Sequence, residues 1–267
     1  MTKKKGAIML LLVLVVVLLV IVSSRLSPPL PAGQTTDLSD PEQTLYTPLP
    51  NAGANQTDEP EQTPEPTVDP RDLLPDVSIY DWNLKLVNNV SVLSSSFAPD
   101  VTAIDDGQYF DSRAVDALNS LLSAVKAQGF SVYISAAYRP YSTQAYLFYG
   151  KASQIAWGGT VEYAEAEMMA RELVAYPGTS EHQLGLCVDL IDSANTAMVA
   201  EEVEDMPLLV WLREHCAAYG FILRYPKDKE EITGWYEPWH FRYVGQEAAA
   251  YIMENGLCLE EFIGLYQ

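Results

Sequence analysis

Proline and acidic residues are concentrated in the segment 25–76, and this segment limits where the chain can fold. It contains eleven of the 17 prolines, ten acidic residues against two arginines, and Tyr46 as its only aromatic residue. Such a composition buries too little apolar surface to offset the entropy lost on ordering. We therefore predict an extended, disordered linker over 25–76 and a folded domain over 77–267.

The segment 1–24 has the composition of a membrane anchor. Three lysines at positions 3–5 precede an unbroken apolar run over 7–22. As a helix this run is about 24 Å long, close to the hydrocarbon core of about 30 Å. No small-residue cleavage pattern follows, which favours an uncleaved signal anchor over a cleaved signal peptide. We predict a single-pass cell-membrane protein with an extracytoplasmic domain, or a secreted one if the segment is cleaved.

The charge and cysteine content exclude several classes of protein. The chain has 16 Lys+Arg against 36 Asp+Glu, a formal net charge of −20, so it lacks the basic surface that a nucleic-acid partner requires. Three cysteines are too few for a disulfide-rich scaffold. Cys216 and Cys258 are able to pair outside the cell, although their spacing does not require a disulfide.

Helical and strand patterns mix without a regular alternation in the domain 77–267. Helices are predicted at 111–128, with Asp111 as the cap and Gly129 as the stop, and at 142–157, 161–174, 207–219 and 246–254. Strands are predicted at 130–135, 186–191, 221–225 and 239–244. This order predicts an α+β fold with a small, mainly antiparallel sheet flanked by helices.

Two histidines and one aspartate have the chemistry of a metal site. Asp189 lies in an apolar strand, where a buried carboxylate needs a metal ion or an arginine as its partner. With His182 and His240 it would supply three ligands for Zn²⁺ and leave a fourth position for water, as in catalytic zinc sites. The alternative is that both histidines are ordinary strand or loop residues. His215, near the end of a predicted helix, is predicted to be structural.

Glu237 precedes His240 by three residues and is a candidate general base. Zinc lowers the pKa of a bound water, and a nearby carboxylate can take its proton and deliver it to a leaving amine. This arrangement indicates metal-assisted hydrolysis of an amide. The alternative for Glu237 is a solvated surface carboxylate.

Three motifs resemble those of VanY-type D-alanyl-D-alanine carboxypeptidases, zinc peptidases of the lysostaphin, D-Ala-D-Ala-metallopeptidase and Hedgehog superfamily. The motifs are Tyr-Arg with a following Gln, Ser-x-His-x-x-Gly-x-Ala-x-Asp, and Glu-x-x-His, and the resemblance covers most of 80–250. The matching residues are Tyr138, Arg139 and Gln144, then Ser180, His182, Gly185 and Asp189, then Glu237 and His240.

The resemblance implies a Hedgehog/D,D-peptidase-like fold and one zinc ion per chain, held by His182, Asp189 and His240 with Glu237 as the base. Arg139 would bind the terminal carboxylate of the substrate or stabilise the oxyanion, for which its planar charged group is suited. A structural salt bridge is the alternative for Arg139. Ser180, Gln144 and Tyr138 would contact the substrate.

The implied substrate is a peptidoglycan stem peptide that ends in D-Ala, and removing that residue would contribute to glycopeptide resistance. An L,D-carboxypeptidase, a D,D-dipeptidase and a non-catalytic peptide-binding module are alternatives, although a binding module would not need Glu237. Two positions depart from the family pattern: Cys187 stands where Ala is usual, and Ala136 stands where Ser is usual. We expect Cys187 to be a small buried side chain rather than an extra ligand.

Overall fold

The computed structural model describes residues 73–267 except Ala197. The predicted anchor over 1–24 and the predicted linker, up to residue 72, lie outside the described residues. Among the residues that are described, no helix has the length and apolar character needed to cross a membrane.

Six strands form two antiparallel sheets in the described part of the chain. Strands β1 (Val101–Ala103) and β2 (Tyr109–Asp111) pair with each other. The larger sheet has the order β3-β4-β6-β5, and its strands are β3 (Val132–Ala136), β4 (Cys187–Asp192), β5 (Phe221–Tyr225) and β6 (Glu237–Tyr243). All of its neighbours are antiparallel, which confirms the predicted α+β class.

The described residues also form eight helices. They are α1 (Val115–Ala127), α2 (Tyr141–Ala156), α3 (Tyr163–Arg171), α4 (Ala200–Val203), α5 (Pro207–His215), α6 (Glu230–Thr233), α7 (Gln246–Glu254) and α8 (Leu259–Gly264). A 3₁₀ turn, Glu181–Leu184, precedes β4.

The two faces of the larger sheet have different roles because side chains alternate along a strand. Val188, Leu223 and Phe241 belong to the main hydrophobic core, together with the apolar side of α1. On the opposite face Asp189 lies directly across from His240 in the pairing of the two central strands, β4 and β6. One face therefore belongs to the main core, while part of the other face carries the polar residues of β4 and β6.

A second hydrophobic cluster packs the C-terminal helices α7 and α8 against β5. Ile222, Ile252 and Phe262 are fully buried in it. All three cysteines, Cys187, Cys216 and Cys258, are buried and free, so Cys216 and Cys258 do not form a disulfide.

Several predicted boundaries were wrong by two or more residues, and two of them concern Asp111 and Glu237. The helix predicted from Asp111 begins at Val115, because the buried Asp111 carboxylate instead accepts hydrogen bonds from the Arg113 side chain at 2.9 and 2.6 Å and from its backbone N–H at 3.0 Å. Strand β6 begins at Glu237, two residues before the predicted start, so Glu237 lies on the same strand as His240. The sequence patterns did not predict β1, β2, α4, α6 or α8.

Candidate active site

A cleft of about 460 Å³ opens at the polar face of the larger sheet. It brings together almost all the predicted site residues from segments far apart in the chain. The predicted residues that line it are Arg139, Gln144, Ser180, His182, Asp189, Glu237 and His240. Tyr138 does not line the cleft, and its backbone N–H donates to the carbonyl of Tyr109 at 2.8 Å.

His182 is oriented by the 3₁₀ turn that leads into β4. The turn ends at Gly185, whose φ of 71° is left-handed and favours a residue without a side chain. Nδ1 of His182 lies 2.7 Å from the backbone carbonyl of Ala137, and Nε2 lies 3.3 Å from Oδ2 of Asp189. Because a carbonyl only accepts, Nδ1 is protonated, and in the neutral imidazole the Nε2 lone pair faces the cleft.

Asp189 and His240 face each other across β4 and β6. Nδ1 of His240 lies 3.0 Å from Oδ1 of Asp189 and 3.3 Å from Oε2 of Glu237. Nevertheless, Nδ1 of His240 and Oδ1 of Asp189 are buried without a well-directed hydrogen bond. Such an arrangement is expected where several donor atoms point to a shared position rather than to one another.

The three side chains therefore fit a divalent cation. Their exposed fractions are 4% for His182, 6% for Asp189 and 2% for His240, so each would need a partner to satisfy its polar atoms. Two imidazole nitrogens and a carboxylate are suitable ligands for Zn²⁺. The alternative partner of Asp189, an arginine, is wrong for the described residues, in which the buried arginines pair with Glu181.

The protonation states of His182, Asp189 and His240 depend on the charges of their neighbours. Burial opposes protonation of His182, but Cys187 and Asp189 outweigh it and raise the pKa of His182 to about 9. The pKa of His240 is raised well above its ordinary value against the effect of burial, chiefly by Cys187 and Asp189. Burial would raise the pKa of Asp189, but His182 and His240 hold it below its usual range. A cation must therefore displace protons from the imidazoles.

The sulfur of Cys187 is an additional donor atom close to the two histidines. The ligand atoms of His182, Cys187 and His240 lie within 4.8 Å of one another. Burial would raise the pKa of the thiol, but the two histidines lower it to about 7. The prediction that Cys187 is buried is confirmed. Its sulfur lies among donor atoms that could hold a metal ion, so the prediction that Cys187 is not an extra ligand stays a prediction.

Arg139 lies in the connection between β3 and α2. Its backbone N–H donates to the carbonyl of His182 at 3.0 Å, which fixes the connection against the 3₁₀ turn. Its Nε is buried without a partner, and in the described part of the chain no carboxylate pairs with it. The salt-bridge alternative is therefore unsupported, and the guanidinium can receive an anion in the cleft.

Gln144 and Ser180 also line the cleft. The Nε2 group of Gln144 donates to the carbonyl of Ala175 at 2.6 Å, while its Oε1 is buried without a partner. Ser180 is 6% exposed and precedes the 3₁₀ turn. Trp235 and Trp239 line the cleft as well. His215 is exposed, stacks on Trp211 at 4.5 Å and lies outside the cleft, as predicted.

A buried ionic network of Glu181, Arg224 and Arg242 near the histidines was not predicted from the sequence. Oε1 of Glu181 accepts hydrogen bonds from Arg224 Nε at 2.8 Å and from Arg242 Nη1 at 2.6 Å. Both arginines are completely buried on strands β5 and β6. Charged residues in such apolar strands require a buried counter-charge, and this rule, already applied to Asp189, would also have predicted an acidic partner for the two arginines.

Comparison with protein families places the motifs in a known group. The family model "VanY: D-alanyl-D-alanine carboxypeptidase" matches residues 107–246, more than half of the chain. The chain belongs to the VanY family. A D-alanyl-D-alanine carboxypeptidase of Enterococcus faecalis is 40% identical over 185 residues, and a putative carboxypeptidase, YodJ of Bacillus subtilis, is 36% identical over 190. These matches cover 68% and 67% of the chain, and the chain spans 66% of the length of each relative.

Solved structures of the VanY family have the same fold. The vancomycin resistance D,D-pentapeptidase VanY of a VanB-type cassette, in complex with Zn(II), is 38% identical and gives a TM-score of 0.59, covering 68% of this chain and 99% of that one. The LD-carboxypeptidase LdcB is 36% identical with a TM-score of 0.58, covering 68% of this chain and 85% of that one. The VanY fold thus accounts for the described domain.

Proposed function

We propose that this chain is a zinc-dependent D,D-carboxypeptidase that removes the C-terminal D-Ala from peptidoglycan stem peptides. One observation carries the proposal: His182, Asp189 and His240 converge, and Glu237 lies 3.3 Å from His240 Nδ1. His182 Nε2, His240 Nδ1 and the Asp189 carboxylate would hold one zinc ion. The zinc-bound VanY relative and the family match support this assignment.

The remaining chemistry belongs to residues of the cleft. Bound zinc would supply a water of lowered pKa and a positive charge near the scissile carbonyl. The Glu237 carboxylate takes a proton from the water while the water oxygen attacks the carbonyl carbon. When the C–N bond breaks, the same carboxyl group returns the proton to the departing amine of D-Ala. The Glu237 side chain is 27% exposed, so it can reach both water and substrate.

Substrate binding is assigned to the cation and the polar groups on the wall of the cleft. The Arg139 guanidinium binds the terminal carboxylate or stabilises the developing oxyanion. Oε1 of Gln144, which is buried without a partner, and Ser180 contact the peptide. Tyr138 does not line the cleft, and the substrate contact predicted for it stays a prediction.

The activity is tested by release of free D-Ala from a pentapeptide that ends in D-Ala-D-Ala. We expect the zinc-loaded full-length chain to release D-Ala, the chelator-treated chain to be inactive, and added Zn²⁺ to restore turnover, because zinc provides the reactive water. A tetrapeptide ending in a single D-Ala is tested in parallel as a comparison substrate for L,D-cleavage. Absence of release from the pentapeptide would contradict the proposal.

L,D-cleavage is the second candidate, since the described domain also matches LdcB in fold. Preferential release of D-Ala from the tetrapeptide would favour it over the D,D-specificity. Mass spectrometry of digested muropeptides distinguishes the activities, because D,D-carboxypeptidase, L,D-carboxypeptidase and D,D-dipeptidase leave stems of different length.

Zinc affinity is expected to rise with pH. The pKa of His182 in the metal-free protein is raised to about 9, so at neutral pH zinc must displace a proton from this imidazole. As the pH increases from 6 toward about 9, this competition weakens and apparent affinity increases. The measurement is competition with a chelator of known affinity at each pH. An affinity independent of pH after correction for the chelator would contradict the expected protonation.

The location and biological role are further parts of the proposal. The lysines at 3–5 and the apolar run over 7–22 support a signal anchor that holds the domain outside the cytoplasm. Removal of terminal D-Ala would deplete the target of glycopeptide antibiotics, and an unchanged inhibitory concentration in a deletion strain would count against this role. Extraction of membranes with carbonate tests the anchor.

A further inference from the structure

The feature that the proposed mechanism does not use is the second carboxylate oxygen of Glu181. Oε1 is occupied by Arg224 and Arg242, whereas Oε2 is buried and has no hydrogen-bond partner. Oε2 lies 3.8 Å from Nε2 of His240, which is also buried and unpartnered. Two complementary buried groups therefore face each other across a gap about 1 Å longer than a hydrogen bond.

The opposite nitrogen of this imidazole faces the proposed metal position. Nδ1 of His240 lies 3.0 Å from Asp189 and 3.3 Å from Glu237. An imidazole that binds a metal through Nδ1 carries its proton on Nε2, and a buried N–H requires an acceptor. The Cys187 thiol is also close to His240, but sulfur accepts hydrogen bonds only weakly.

We propose that Glu181 is a positioning residue that accepts the Nε2 proton of His240 and so directs the Nδ1 lone pair toward zinc. This inference rests on the proposed zinc site. The two histidines would then bind through different nitrogens, because the backbone carbonyl of Ala137 fixes the proton of His182 on Nδ1. Hydrogen bonds of this kind to metal-binding histidines set both tautomer and ring orientation.

Glu181 is held rigidly enough to act in this way. Arg242 also donates through Nη2 to the carbonyls of Asn83 at 3.0 Å and Lys85 at 2.9 Å. Arg224 forms two hydrogen bonds with Glu260 on α8, at 2.9 and 2.7 Å. The position of a proposed zinc ligand is thereby connected to the C-terminal helix, which lies outside the cleft.

The informative substitution is Glu181→Gln, because it preserves the size of the side chain but replaces one hydrogen-bond acceptor by an NH₂ donor. The two arginines require the amide oxygen, so the amide NH₂ would face Nε2 of His240. The imidazole must then accept at Nε2 and carry its proton on Nδ1, where zinc would bind. We expect zinc affinity to fall by about 10- to 100-fold, as is typical when such outer hydrogen bonds to a ligand are lost.

Two further variants separate positioning from stability. Glu181→Asp keeps the charge that the arginines need but shortens the side chain, so it should fold while withdrawing from His240. Asp111→Asn is the matched control, because Asp111 is an equally buried carboxylate paired with an arginine but does not contact either histidine. We expect the control to change thermal stability and to leave the zinc affinity of the folded protein unchanged.

Zinc affinity is measured on the full-length chain by chelator competition and corrected for the folded fraction by circular dichroism. In parallel, nitrogen NMR of the zinc-loaded wild type reports the protonated nitrogen of each of its three histidines. We expect a proton on Nε2 of His240 and on Nδ1 of His182. The NMR measurement needs no substitution at Glu181, so it tests the inference even if the variants fail to fold.

The outcomes distinguish this inference from the proposed function. If the wild type binds no zinc, the proposed function fails. If the wild type binds zinc and releases D-Ala while a folded Glu181 variant binds zinc equally tightly, only the positioning role is overturned. A proton on Nδ1 of His240 in the zinc-loaded wild type would overturn it as well.

Discussion

A Glu237→Gln variant is expected to lose turnover by a factor of about 10²–10⁴ because glutamine cannot accept a proton from water. Zinc should remain bound, since the proposed ligands His182, Asp189 and His240 are unchanged. The measurement is kcat for D-Ala release at saturating zinc, with zinc content determined on the same preparation. Loss of kcat at normal zinc content would separate a general base from a metal ligand.

The matched control is Glu231→Gln, which removes an exposed carboxylate from α6 and should leave kcat unchanged. Wild-type turnover in Glu237→Gln would exclude the proposed base even if the protein cleaved its substrate. A loss of zinc in that variant would instead indicate that Glu237 is a metal ligand. Glu237 lies 3.3 Å from Nδ1 of His240, one of the proposed ligand atoms.

An Arg139→Ala variant is expected to lower kcat/KM by about 10²–10³, the typical cost of removing a group that stabilises developing negative charge. The distribution of this loss identifies the role of the guanidinium. An increase in KM indicates binding of the substrate carboxylate in the ground state, whereas a decrease in kcat indicates stabilisation of the oxyanion. Steady-state kinetics with the pentapeptide provide both values.

Arg139→Lys should recover only part of this activity, because an ammonium group is a point charge and lacks the planar fork of arginine. Arg171→Ala is a suitable control, since Arg171 lies over the ring of Tyr176 at 4.3 Å and does not line the cleft. An unchanged kcat/KM in Arg139→Ala would show that the buried, unpartnered Nε atom has no role in substrate recognition.

The residues that meet in the cleft were predicted better from the sequence than the residues that support them. His182, Asp189, Glu237 and His240 were recognisable because the motifs that contain them resemble those of the VanY family. Their convergence follows from the antiparallel pairing of β4 and β6, which places Asp189 opposite His240. The α+β class could also be predicted, because helical and strand patterns mix in the domain without a regular alternation.

The parts that were not predicted depend on contacts between distant segments. The partner of Glu181 is a pair of arginines on β5 and β6, and no local pattern shows which buried charges will meet. Asp111 resembled a helix cap, but its side chain pairs with Arg113 in the preceding turn. The short strands β1 and β2 have three residues each, too few to show a periodic pattern.

The direct pairing of Asp189 with His240 restricts how such an enzyme can change in length. A single inserted residue in β4 or β6 would turn every following side chain to the other face of the sheet. Insertions that preserve catalysis must therefore fall in connections, such as 226–236 between β5 and β6, next to the cleft wall formed by Trp235. An insertion there would change the cleft wall near Trp235 and leave the pairing of Asp189 with His240 intact.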